Sequence, residues 1–108
     1  MFTFTQNDTA ATLEISGDLT IYTAPEFKDK LRDIYTDSKP LQVDLGKVGE
    51  IDSSGIQLLI LLKKLRSDKN LEFMLLSIPG HVSEIFDILG ITWHTRNEDT
   101  TLPAARSV

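Results

Sequence analysis

The sequence predicts a single α/β domain, with a mostly parallel sheet of about five strands packed by three to four helices. Short stretches that are apolar or alternate apolar and polar residues are typical of strands. They alternate along the chain with longer stretches in which apolar residues recur every three to four positions, as in helices. Helical connections of this kind favour right-handed crossovers and parallel pairing of the flanking strands. We find no repeat or linker, so the whole chain of 108 residues is expected to be one domain.

The first two predicted strands are separated by a short polar turn. Residues 2–5 and 12–16 both alternate apolar and polar side chains. We expect the N-terminal strand to run antiparallel to the rest of the sheet. A helix is predicted to begin near Thr23, because Pro25 lies in its first turn and Glu26 lies three residues on. The apolar face of this helix would comprise Phe27, Leu31, Ile34 and Tyr35.

The middle of the chain predicts a strand, a long helix and another strand. Residues 41–45 form a short apolar strand, and the helix that begins after Asp52 is expected to end near residues 68–70. Residues 71–76 are mostly apolar, as in strands of a sheet that is covered on both faces.

The last part of the chain gives weaker signals. A short helix with apolar residues at Val82, Ile85 and Phe86 is predicted to stop at Gly90. Residues 91–94 are expected to form a last edge strand. The segment from about 97 to 108 is polar enough to be a frayed tail or a weak terminal helix.

Composition narrows the classes of function. The chain has no cysteine, which leaves no disulfide, thiolate metal site or cysteine nucleophile. Its formal charge of −5 opposes binding to nucleic acid and to anionic lipid. The longest apolar run covers residues 58–62, far short of the ~20 needed to cross a bilayer, and the N-terminus lacks the pattern of a signal peptide. We therefore expect a cytoplasmic protein without direct membrane insertion.

The junction between a strand and the long helix is the candidate functional site. Asp52, Ser53 and Ser54 precede Gly55 at the point where the helix begins, and all three are good N-cap residues. Plain capping is one interpretation of this motif. The other is that one of the serines accepts a phosphate, which would add roughly −1.5 to −2 charges at a surface turn.

The long helix also predicts a docking patch. At 100° per residue, Ile56 and Ile60 fall beside Lys63 and Lys64, on the side opposite the leucines. We therefore expect these four residues to contact a partner, unless the C-terminal tail covers them. The leucines expected to bury against the sheet are Leu58, Leu59, Leu61, Leu62 and Leu65.

Candidates for catalysis are few. The motif at 51–55 is not the G-x-S-x-G elbow of a hydrolase, and the glycines form no phosphate-binding loop. His81 and His94 match no zinc-site spacing and are interpreted as surface residues, whereas Phe86 and Trp93 are expected in the core. The sequence predicts neither an enzyme nor a site for a metal or cofactor.

Two short motifs carry a family resemblance. Residues 43–45 are Val-Asp-Leu, and residues 51–55 are Ile-Asp-Ser-Ser-Gly, followed directly by an apolar helix. This arrangement resembles the STAS domain family, whose founding members are bacterial anti-sigma factor antagonists. The similarity extends from the strand ending in Gly17-Asp18-Leu19 to the helix that stops at Gly90, and so covers most of the chain.

The resemblance implies a partner switch controlled by phosphorylation. The phosphoacceptor in the family is the serine directly after the aspartate, here Ser53, with Ser54 as second choice. The unphosphorylated form would bind an anti-sigma factor with a GHKL-type ATP-binding domain and free a sigma factor. That partner would act as the serine kinase, and a serine phosphatase would reverse the mark.

The resemblance also leaves alternatives open. The family implies that Asp18, Thr20, Asp52 and Gly55 surround the phosphoacceptor, but many antagonists carry a further acidic residue after the Gly-acidic-Leu turn that this chain lacks. Residues 19–24 resemble STAS proteins of bacterial chemosensory clusters, and other members are subunits of phospholipid-transport ABC systems. In such an adaptor the serines would act mainly as a helix cap.

Overall fold

The computed structural model describes residues 1–93 and 95–96. Within them the chain forms five strands and three helices, in the predicted alternation. In chain order these are β1 (Phe2–Gln6), β2 (Ala11–Leu19), α1 (Ala24–Thr36), β3 (Leu41–Ile51), α2 (Ser53–Asp68), β4 (Phe73–Leu76), α3 (Gly80–Leu89) and β5 (Thr95–Arg96).

The sheet is mixed and its strands follow one another in chain order, β1-β2-β3-β4-β5. β1 pairs antiparallel with β2, and every later pair is parallel. In the middle of the sheet Leu13 lies beside Val43, and Val43 lies beside Leu75. The predicted α/β class with an antiparallel first strand is therefore confirmed. Four strands make up the body of the sheet, because β5 contributes two residues.

In the described part of the chain, one face of the sheet is packed by helices and the other is not. The strands of a doubly covered sheet are apolar on both sides, yet here only alternate residues join the single core. The buried strand residues are Phe2, Ala11, Leu13, Ile15, Leu41, Val43, Leu45, Phe73 and Leu75. The partly exposed residues between them include Thr12, Glu14, Gln42, Asp44, Met74 and Leu76.

The topology explains this one-sided packing and corrects the expectation of a sheet covered on both faces. Each crossover from β2 onward advances to the next strand in the same direction. Right-handed crossovers that all advance in one direction place their helices on the same face. The alternation along β4, in which Met74 is half-buried between buried Phe73 and Leu75, agrees with this arrangement.

Two strand boundaries differ from the prediction. β3 continues through Gly46 and Lys47 to Ile51, because this stretch keeps pairing with β2 after a register shift. The last strand is Thr95–Arg96, whereas Ile91 to Trp93 form neither strand nor helix. His94 and the predicted tail at 97–108 lie outside the described residues.

The start of α1 matches the prediction in position but not in contacts. Thr23 occupies the N-cap position without a side-chain capping bond, because its hydroxyl accepts the N–H of Thr20 and donates to the carbonyl of Asp18 instead. The Glu26 carboxylate accepts the backbone N–H of Phe2 at 3.1 Å, which ties the helix to β1. Tyr35 is exposed and does not join the apolar face predicted for it.

A buried ion pair joins α2 to the end of α1. Arg66 has no exposed surface, and its guanidinium donates to the carbonyl oxygen of Ile34 at 2.7 Å and to Oδ1 of Asp37 at 3.4 Å. Burial lowers the pKa of Arg66, and the negative charge of Asp37 acts in the opposite direction. This pair was not predicted from the sequence, because arginine is almost never fully buried unless it is paired.

Among the described residues, no helix has the length and apolar character required to cross a membrane.

Candidate functional site

The candidate site lies where the parallel strands β2 and β3 both end. Leu19 and Ile51 are paired at this edge of the sheet, and α2 begins two residues after Ile51. The backbone N–H of Asp52 donates to the carbonyl oxygen of Leu19 at 3.3 Å. In open sheets with parallel strands, the carboxyl ends of the strands are where ligands and partners usually bind.

Asp52 is the N-cap of α2 and holds two separate segments with its carboxylate. Oδ1 accepts the backbone N–H of Gly55 at 3.0 Å, which satisfies a donor at the start of the helix. Oδ2 accepts the backbone N–H of Ile21 at 3.1 Å, in the loop between β2 and α1. Both bonds lower the pKa of Asp52, because they favour the charged carboxylate, and the bond from Ile21 has the larger effect.

Ser53 is the first residue of α2, and its side chain is exposed. Within the described part of the chain, neither its hydroxyl nor that of half-buried Ser54 makes a hydrogen bond, and the capping role belongs to Asp52. The interpretation of the serines as the helix cap is therefore wrong. Ser53 occupies the first position of the helix, the positive end of the helix dipole, which suits a phosphate group.

Gly55 brings α2 into close contact with the end of β2. A Cβ atom at this position would lie 2.1 Å from the backbone carbonyl oxygen of Leu19 and 3.0 Å from the side chain of Ile51. No other residue fits without moving the backbone. Glycine here is a packing requirement that fixes the distance between the start of the helix and the sheet.

The loop between β2 and α1, residues 20–23, is ordered by its own hydrogen bonds. The Thr20 hydroxyl accepts the N–H of Tyr22 at 3.2 Å, and the Thr23 hydroxyl accepts the N–H of Thr20 at 3.0 Å. Just before the loop, Oδ1 of Asp18 accepts the N–H of Glu50 at 2.9 Å. Asp18 and Thr20 line the same pocket as Asp52, and their place around the phosphoacceptor stays a prediction.

A pocket of about 470 Å³, lined by both polar and apolar side chains, lies beside Asp52. Its wall includes Asp18, Thr20, Glu50 and His81, and the His81 ring nitrogen Nε2 contacts the carbonyl oxygen of Gly49. No group of three or more histidines or carboxylates among the described residues could hold a metal ion.

An apolar groove of about 320 Å³ lies between the start of α2 and α3. Ile85 is half-buried in its wall, and Ile88 and Leu89 are exposed, Ile88 to 82%. The remaining residues that line this groove are Ile51, Asp52, Ser53 and Ile56. Ser53 therefore lies in the wall of the apolar groove, next to Asp52, which lines both the groove and the pocket.

The predicted docking patch on α2 is partly wrong. Ile56 is only 5% exposed and belongs to the core, whereas Ile60 is 45% exposed. Lys63 is half-buried, with its ammonium group 5.5 Å from the centre of the Trp93 ring. Lys64 is exposed and pairs with Asp68 at 3.4 Å. Of the predicted leucine face, Leu61 is exposed instead.

The sequence did not predict the most exposed apolar residues near Ser53. Ile21 is 60% and Tyr22 is 90% exposed in the loop beside Asp52, and Ile88 is exposed across the groove. For Ile21 and Tyr22 a signal existed, since two large apolar residues in the turn before a helix have no strand or helix face to occupy. Ile88 follows the helical period of α3 and could not be distinguished from a core residue.

Comparison with known proteins agrees with this architecture. A family model described as "Mlab, STAS domain" matches residues 2–93. The anti-sigma-B factor antagonist of Staphylococcus aureus is 26% identical over 88 residues, which cover 81% of this chain and 82% of that protein.

Solved structures of anti-sigma factor antagonists share the fold. A putative antagonist from Thermotoga maritima superposes with a TM-score of 0.75 at 22% identity, covering 88% of this chain and 86% of that one. The antagonist SpoIIAA in its unphosphorylated form gives 0.75 at 16% identity, with 90% and 87% covered. A phosphorylated form of SpoIIAA from Bacillus gives 0.70 at 14% identity, with 90% of each chain covered.

Proposed function

Because this chain belongs to the STAS domain family, we propose that it is an anti-sigma factor antagonist whose binding to its partner ends when Ser53 is phosphorylated. The observation that carries the proposal is the exposed Ser53 hydroxyl at the first position of α2, with no structural bond to lose. Asp52 caps the helix, so a kinase can modify Ser53 without removing the cap.

A phosphate at Ser53 changes the charge of the site more than its shape. It adds roughly −1.5 to −2 charges at a surface that already carries Asp52, Glu50 and Asp18. A partner that buries this surface would then have to desolvate a dense group of negative charges. Repulsion and desolvation together would weaken the complex.

The proposed partner is an anti-sigma factor with a GHKL-type serine kinase domain. It would supply the nucleotide and the metal, and a serine phosphatase would restore the binding form. This chain is then a kinase substrate and a protein ligand in the cytoplasm, rather than an enzyme, and it needs no cofactor of its own. Support comes from the curated relatives, which are anti-sigma factor antagonists.

We place the partner contact around Ser53, on the apolar groove and the exposed part of α2. Ile88 and Leu89 offer apolar area that no described part of the chain covers. Ile60 and Lys64 extend the same region along α2 and remain predicted contact residues, whereas Ile56 can contribute only through the floor of the groove.

The test is capture of the partner from the source organism with tagged variants at Ser53. Wild type and Ser53→Ala should both retain an anti-sigma factor with an ATP-binding domain, and Ser53→Asp should lose it, with an affinity at least about tenfold weaker by calorimetry. Incubation of wild type with that partner and Mg-ATP should add the mass of one phosphoryl group. Ser53→Ala should remain unmodified.

Ser54→Ala is the matched control, because it removes the neighbouring hydroxyl and leaves Ser53 in place. It should bind and be phosphorylated like wild type. Phosphorylation of the Ser53→Ala variant would indicate Ser54 as the acceptor and contradict the assignment to Ser53. Capture of a chemosensory protein or a transporter ATPase, with equal affinity for Ser53→Asp, would instead identify a constitutive adaptor.

A further inference from the structure

We propose that Asp52 transmits the charge state of Ser53 to the loop between β2 and α1, so that phosphorylation also releases the loop that presents Ile21 and Tyr22. This inference rests on the proposed function, because it takes Ser53 as the phosphoacceptor. Asp52 is a positioning residue, because it holds the loop against the start of α2. Its carboxylate is the side-chain link between the start of α2 and the loop.

The link depends on both oxygens of one carboxylate. Oδ1 is held by the N–H of Gly55 in the first turn of α2, and Oδ2 is held by the N–H of Ile21, 31 residues earlier in the chain. A change that turns or displaces the Asp52 side chain therefore affects both ends at once. Ser53 is the next residue in the chain, so a charge placed there acts on this carboxylate at short range.

The two ends of the link differ in what else holds them. Gly55 is fixed by packing, since a Cβ would meet the carbonyl oxygen of Leu19. The tip of the loop is held by internal bonds between Thr20, Tyr22 and Thr23, and the bond from the N–H of Ile21 is its side-chain link to the start of α2. When the carboxylate moves, the bond to the loop is therefore the one that is lost.

A phosphate on Ser53 would disturb Asp52 in two ways. Its negative charge repels the neighbouring carboxylate, and its oxygens compete for the N–H groups in the first turn of α2. Asp52 can relieve the repulsion by moving Oδ2 while Oδ1 keeps the N–H of Gly55, which preserves the cap and breaks the bond to the N–H of Ile21. The phosphate thereby changes the loop at Ile21 without contacting it.

The consequence matters for recognition because of what the loop presents. Ile21 is 60% and Tyr22 is 90% exposed, and Tyr22 lines the same pocket as Asp18 and Glu50. A loop fixed by Asp52 offers these two side chains in one arrangement. A released loop has to be ordered again by any partner that binds it, which costs affinity.

The test uses the full chain and amide exchange with water, measured by NMR. Ser53→Asp should make the Ile21 amide exchange about two- to tenfold faster, the range expected for loss of one hydrogen bond. Ser53→Asn is the matched control, because it has the same shape without the charge, and its Ile21 amide should exchange like that of wild type. Amides of Leu59 and Leu62 in the buried part of α2 should be unchanged in both variants.

A second variant removes the link while keeping the helix cap. Asp52→Asn can still accept from Gly55, because asparagine caps as well as aspartate, but its amide nitrogen cannot accept the N–H of Ile21. Ile21 should exchange faster in this variant, and introducing Ser53→Asp as well should add no further change.

Several results would overturn the inference. One is unchanged exchange at Ile21 in Ser53→Asp, and another is an equal change in Ser53→Asp and Ser53→Asn. An additive effect of Asp52→Asn and Ser53→Asp would also contradict it. None of these measurements needs a kinase or a partner. Failure of the proposed function would instead appear as a wild-type chain that its captured partner does not phosphorylate.

Discussion

At the scale of single residues, Asp52 and Gly55 decide the geometry around Ser53. Asp52 caps α2 and holds the preceding loop, and Gly55 allows the helix to start against the end of β2. The sequence identified both positions, but it could not separate the roles of three adjacent capping residues. That separation requires the backbone angles at Asp52, which are extended, as an N-cap needs.

We predict that Asp52 makes stability depend on acid pH. Its pKa is lower in the folded chain than in the unfolded chain, so its stabilising contribution is complete above the unfolded pKa of about 3.9 and disappears as the pH falls through the folded pKa. Between pH 6 and pH 3, the free energy of unfolding should fall less steeply for Asp52→Asn than for wild type in urea titrations. Parallel curves would contradict the prediction.

The second residue-scale prediction concerns Gly55. In an exposed helix, glycine to alanine stabilises by up to about 1 kcal/mol. Here the added Cβ would lie 2.1 Å from the carbonyl oxygen of Leu19, and the resulting strain of about 1–3 kcal/mol should dominate. Gly55→Ala should therefore lower the melting temperature. Gly80→Ala in the first turn of α3 is the control, because no atom lies within 4 Å of its Cβ, and it should leave stability unchanged or slightly raised.

At the scale of elements, α2 is rotated relative to the prediction. The buried face runs through Ile56, Leu59, Leu62 and Arg66, and Leu61 is exposed. The pattern of apolar residues predicts that the leucines form the buried face of α2, because arginine is expected at the surface. The ion pair with Asp37 at the end of α1 lets Arg66 occupy a core position, and the helix turns accordingly.

A pair of substitutions on α2 tests this orientation. Ile56→Asp places a charge in the core and should lower stability by several kcal/mol, a large part of the roughly 5–15 kcal/mol that a domain of this size has. Ile60→Asp changes an exposed position and should stay within about 0.5 kcal/mol of wild type. Thermal unfolding followed by circular dichroism measures both. Similar melting temperatures for the two variants would show that α2 is not oriented as described.

At the scale of the whole molecule, topology gathers the site at one edge of the sheet. All described helices pack on the same face of a sheet whose strands follow chain order, and the parallel strands β2 and β3 end together beside the start of α2. Residues that are far apart in the chain, such as Asp18, Asp52 and His81, become neighbours for this reason. The expected cover on the second face is not present in the described residues, because every crossover advances in the same direction.

The sequence by itself determined the α/β class, the antiparallel first strand and the position of Ser53 at the start of a helix. These features depend on local patterns, namely the period of apolar residues and the residues that begin or end helices. Only the tertiary structure decided which residue caps α2, which side of α2 is buried and that Ile21 lies beside Asp52. The reason is physical: a bond between residues 31 positions apart, or a buried arginine paired with another helix, depends on packing that no local pattern records.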